Sequence, residues 1–93
     1  MAEHQSLSPE ELAKQRYEEH FQKARKGVLQ FMQESGGKLP LGQMHDYSLR
    51  KFLIQHQGFS QMMEDLVNEG LVEFDHGTFM ATITETGKKF AHE

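Results

Sequence analysis

The chain has 93 residues, 37% of them hydrophobic and 26% charged, with a mean hydropathy of -0.69. Those proportions suit one small domain, whose core would draw on seven Phe, six Met and two Tyr, and leave no room for a second. Ten Lys and Arg against fourteen Asp and Glu advertise neither nucleic acid nor an anionic membrane, and the lack of cysteine excludes disulfide scaffolds and thiol catalysis.

Residues 1–8 read as a polar, aperiodic and flexible tail. The longest apolar runs, such as Phe52-Leu53-Ile54, are three residues long. Neither a membrane span nor a signal peptide is expected, and the chain reads as soluble and cytoplasmic. Ser8-Pro9-Glu10-Glu11 is a helix start: Ser8 caps, Pro9 suits the first helical position, and Glu11 completes a capping box. Ala13, Tyr17, Phe21, Ala24, Val28, Phe31 and Met32 then recur at spacings of three and four, the stripe of an amphipathic helix that ends before Gly36-Gly37. Gly27 is expected to bend or break that helix, which reads as an extension over residues 9–25 and a second segment, separate from it or continuous with it, that opens a domain over residues 26–93.

Lys38-Leu39-Pro40-Leu41 is expected to be extended, because a residue before proline is pushed away from helix. A second helix is predicted within Tyr47 to His56, capped by Asp46 or Ser48, with Leu49, Phe52 and Leu53 facing inward. Gln57-Gly58 breaks it, and His56 closes it as a cation suited to the helix dipole. Ser60 caps a third helix with Met62, Met63, Leu66 and Val67 inside and Gly70 at its end. Leu71 to Phe74 and Phe79 to Thr84 read as two strands joined by a tight loop, Asp75-His76-Gly77, in which Gly77 supplies the left-handed conformation. A final helical turn is expected at Lys88-Lys89-Phe90.

The stretch from Leu66 to Phe90 reads LVNEGLVEFDHGTFMATITETGKKF. It resembles the second half of a bacterial winged-helix domain, in which a third helix ends in a Leu-Val-x-x-Gly-Leu-Val phrase before a two-stranded wing. Ile83-Thr84-Glu85-Thr86-Gly87 is similar to the phrase that follows the wing. The resemblance implies an α+β fold, a winged helix-turn-helix with a three-helix core and wing hairpin, to which the N-terminal helix is an addition.

It also implies a DNA-binding transcriptional regulator, with the third helix in the major groove of duplex DNA and the second helix positioning it. Ser60 and Gln61 would then face bases or phosphates, Arg50, Lys51 and Lys88 would supply a phosphate patch, and His76 would sit at the wing tip. Against this, Glu64, Asp65 and Asp75 oppose phosphate. From Tyr47 onward the chain holds four basic and seven acidic residues. The alternative is a winged-helix module that binds another protein, with Met62 or Met63 exposed on an acidic third helix. In the N-terminal helix, Leu12, Tyr17 and Phe21 need cover, either by folding back on the winged-helix core or, the favoured reading, in a two-fold homodimer.

No catalytic signature is present: the glycines lack a phosphate-loop pattern, and no nucleophile elbow or triad order occurs. His20, His45, His56 and His76 show no short ligand spacing. Neither enzyme activity, a metal nor a cofactor is expected.

Overall fold

The computed structural model describes residues 8–93, so the expected tail lies outside the described residues apart from Ser8. In chain order, the elements are α1 (Pro9–Glu34), β1 (Lys38–Pro40), α2 (Leu41–Phe52), α3 (His56–Asn68), β2 (Val72–Asp75), β3 (Met80–Ile83) and α4 (Glu85–Ala91). The strands form one antiparallel sheet in the order β1-β3-β2. An α+β architecture of four helices and a small three-stranded sheet is therefore what the sequence specifies.

The capping box forms as expected, with the Glu11 backbone N–H donating to Ser8 Oγ and the Ser8 N–H donating to Glu11 Oε1, both at 3.1 Å. Of the two alternatives at Gly27, the continuous one is found: α1 runs unbroken through it. That residue marks a contact: a Cβ there would overlap the Phe52 ring of α2. The helix ends where Gly36 and Gly37 take positive φ, which a side chain would disfavour. Ala24, Val28, Leu29 and Met32 are fully buried, and truncating one of the larger ones would cost about 2–5 kcal/mol. All residues from Pro9 to His20 are exposed, although Tyr17 reaches toward Gly58 of α3 and His20 Nε2 meets Phe52 O.

The expected bounds of α2 and α3 need correction. α2 begins at Leu41, following Pro40, without a side-chain cap, because the Leu41 N–H is satisfied by Phe79 O at 2.9 Å. The earlier start rotates the inward face to Met44 and Ser48 and leaves Leu49 and Leu53 exposed. Phe52 stays half-buried against the core, and Phe31 of α1 stacks on Tyr47 at 4.0 Å with rings 3° from parallel. The break falls at Leu53, which is left-handed at φ 59°, and not at Gly58. Gly58 lies inside α3, where a Cβ would meet Ile54 Cγ2 at 3.2 Å and Tyr17 Oη at 3.4 Å. His56 therefore opens α3 instead of closing α2, and Ser60 lies one turn into the helix.

Met62 and Met63 are both buried, so neither is the exposed partner contact that the protein-binding reading entertained. Gly70 ends α3 with φ 76°, and the Leu71 N–H returns to Leu66 O at 2.9 Å. Thr84 then joins three segments. Its hydroxyl donates to Gly70 O at 2.7 Å and accepts from the Gly87 N–H at 3.0 Å, which caps α4. The final helical turn expected at Lys88 to Phe90 is thus part of a longer α4 that packs on α1.

Candidate functional site

Between the start of α2, one side of α3 and β2 lies a groove of ≈ 490 Å³. Its floor and walls are largely apolar: Leu41 from α2, Phe59, Met63 and Val67 from α3, and Phe74 from β2. The i, i+4, i+8 spacing of Phe59, Met63 and Val67 puts them on one side of the helix. Phe59 and Met63 turn into the core, whereas Val67 remains 40% exposed. The lining contains no Lys or Arg and a single carboxylate, Glu64.

Three imidazoles border the same space. His45 stacks on Phe59 at 4.8 Å and meets the His56 ring edge-on at 5.6 Å, while Phe74 meets His76 at 4.9 Å. His45 Nε2 is buried without a hydrogen-bond partner among the described residues. The histidines do not assemble a metal site: among the described residues, no group of three or more His, Asp or Glu side chains is placed to hold an ion.

The hairpin that closes the groove is built on Asp75. Its Oδ1 accepts the Gly77 N–H at 2.7 Å and the Thr78 N–H at 3.3 Å. Those two bonds to the charged form hold its carboxyl below the usual carboxylate range. The turn consumes Gly77 and Thr78, so the left-handed residue is not the expected Gly77. It is Phe79, at φ 58°, with its N–H on Asp75 O at 2.7 Å. The Phe79 ring is 58% exposed and lies 6.1 Å from the Phe74 ring.

The residues expected to contact DNA are dispersed. Ser60 and His76 border the groove. Arg50 and Lys51 are on the last turn of α2 and Lys88 is on α4, and none of the three lines it. Arg50 is bound to Asp46 at 2.9 Å and Lys88 to Glu85 at 3.2 Å, while Gln61 Nε2 donates to Asp65 Oδ1 at 3.0 Å. Lys51 is exposed and has no ion-pair partner among the described residues. Of the expected dimer residues, Leu12 and Tyr17 are 38% and 54% exposed. Phe21 is 8% exposed and belongs to the core, with Tyr17 stacked on it at 5.9 Å.

Leu41, Phe74 and Phe79 were not foreseen as a surface. One local signal points to Phe79: an Asp followed by Gly two residues later and Thr three later favours a side-chain turn that pushes the left-handed position onward. Among the described residues, no helix is long and apolar enough to cross a membrane. Comparison with protein-family models, curated proteins and solved structures found no match.

Proposed function

We propose that this chain is a winged-helix-type interaction module that binds another protein through the groove between α3 and the β2–β3 hairpin. The carrying observation is the lining itself, apolar and without a Lys or Arg, on the side of α3 that faces the hairpin. A duplex-binding face draws most of its affinity from cations that replace counterions at phosphates. Here the adjacent α3 surface presents Glu64 and Asp65, and two of the three basic candidates already hold carboxylates. The order α1-β1-α2-α3-β2-β3 and the β1-β3-β2 sheet support the winged-helix part of the reading. The reading is of a soluble, cytoplasmic, non-enzymatic module.

A DNA-binding regulator is the second reading. It is favoured by the tight Leu53–Gln55 connection between α2 and α3 and by exposed Ser60, Gln61 and Lys51. Titrating labelled protein with mixed-sequence duplex DNA, at low and then moderate salt, separates the two. The protein-binding reading expects no shifts on Ser60, Gln61, Arg50 or the hairpin even at low salt. Shifts there that fade steeply with salt would overturn it. A homodimer through Leu12 and Tyr17 is compatible with either reading, since neither residue lines the groove.

A further inference from the structure

The hairpin spends backbone strain to display an aromatic ring. A β-carbon in the left-handed region crowds the following carbonyl, which is why such positions are usually Gly or Asn. Phe79 occupies that region at φ 58°, and its ring is 58% exposed, so burial does not compensate the conformation. Two residues earlier, Gly77 adopts no positive φ. Strain kept at an exposed aromatic residue beside an apolar groove is the pattern of a binding anchor.

We infer that Phe79 is the anchor of this interface, and that the groove takes a basic amphipathic helix from another protein. This inference rests on the protein-binding reading above. Phe79 extends the apolar surface that Phe74 and Val67 begin, giving a partner helix an aromatic edge to pack against. The charge of the partner follows from what surrounds the groove. Glu64 is the one charged residue in the lining, Asp65 follows it, and α3 has no Lys or Arg from end to end. An acidic helix laid there would meet Glu64 and Asp65 with no Lys or Arg in the lining to offset them, whereas Lys or Arg flanking its apolar stripe would find partners. The outer half of α1 from a second copy fits less well, because Glu10, Glu11, Glu18 and Glu19 outnumber Lys14 and Arg16.

The test uses a short amphipathic peptide of Leu and Lys at helical spacing, with a matched Leu and Glu peptide, titrated into labelled protein. The Leu/Lys peptide should shift Val67, Phe74 and Phe79, and the Leu/Glu peptide should not. Phe79→Gly and Phe79→Asn relieve the strain, so each should raise Tm by about 4 °C while weakening the peptide by about tenfold or more. Equal affinity for wild type and both variants would overturn the anchor, as would equal binding of the two peptides or no binding of either. If the Leu/Lys peptide instead shifts Leu12 and Tyr17, the groove assignment fails and a protein-binding function stands. If duplex DNA alone, with no peptide present, shifts Val67, Phe74 and Phe79 and the shifts fade steeply with salt, the protein-binding reading itself fails.

Discussion

Arg25, in the middle of α1, reaches across to Glu69 at the end of α3, with Nη2 2.6 Å from Oε1. The pair is lopsided: the Arg25 side chain is 7% exposed and that of Glu69 49%. Arg25 Nη1 also donates to Gln22 at 3.0 Å, and its guanidinium lies 5.4 Å from the centre of the Phe90 ring. A single buried cation thereby ties α1 to the α3–β2 turn and to α4.

That asymmetry ranks two substitutions. Arg25→Met keeps the stem and leaves behind a carboxylate that water can serve, so it should cost about 1 kcal/mol. Glu69→Ala strands a nearly buried guanidinium whose Nε already lacks a partner, and should cost about 2 kcal/mol. The double variant should resemble Arg25→Met alone. Urea unfolding of the three proteins measures the order, and the reverse ranking would refute the account.

Two glycines should respond to alanine with opposite signs. A Cβ at Gly87 would overlap Leu71 O and stand 2.8 Å from Ile83 Cγ1, so α4 must lift off the sheet to admit it. The overpacking should exceed the helix-propensity gain of about 1 kcal/mol, leaving Gly87→Ala less stable by about 1–2 kcal/mol. Gly42, in the first turn of α2, has nothing within 4 Å of its would-be Cβ. Gly42→Ala should therefore raise stability, by up to about 1 kcal/mol. Thermal melts of both report the contrast.

Tyr47 should make the fold sensitive to alkali. Burial raises its hydroxyl pKa above the ordinary tyrosine value of 10.0, and nearby Glu34 raises it further. A raised pKa means the unfolded chain releases this proton more readily than the folded one. The contribution is complete below the unfolded value near pH 10 and is lost as pH rises through the higher folded value. Phenolate absorbance should show one tyrosine titrating late, and Tyr47→Phe should flatten the alkaline loss of stability.

Leu12 and Tyr17 carry the dimer expectation. Leu12 is 38% exposed on the outer turns of α1, so Leu12→Glu should leave the protomer folded while the sedimenting mass falls from dimer to monomer. Full-length protein that is already monomeric at high micromolar concentration would refute the dimer.

The features legible in the sequence are those settled by a few neighbouring residues. Ser8 with Glu11, the Gly36-Gly37 stop, the Gly70 turn and the two hairpin strands are of this kind, since cap, partner and turn lie within one short window. The features misread depend on distant chain. No local signal starts α2 at Leu41, because the acceptor of its N–H is Phe79, far along the sequence. Gly27 and Gly58 carry the composition of helix breaks, yet Gly27 lies where the Phe52 ring approaches too closely for a side chain and Gly58 lies in tight contact with Ile54. Whether a glycine breaks or packs is decided by what faces it. The same holds for the candidate site: the groove needs α2, α3 and β2 at once, and the exposed Phe79 ring beside Phe74 sits where the turn built on Asp75 places it.

The unbroken path of α1 through Gly27 makes it a lever. Its outer portion, Pro9 to His20, is about 18 Å long at the usual helical rise, and every residue in it is exposed. The inner portion is clamped by Arg25 on Glu69 and by Phe52 over Gly27. Because α1 is continuous through Gly27, the outer turns share one hydrogen-bonded helix with the segment that both clamps hold. The outer turns are in this sense a handle on the two elements that bound the groove.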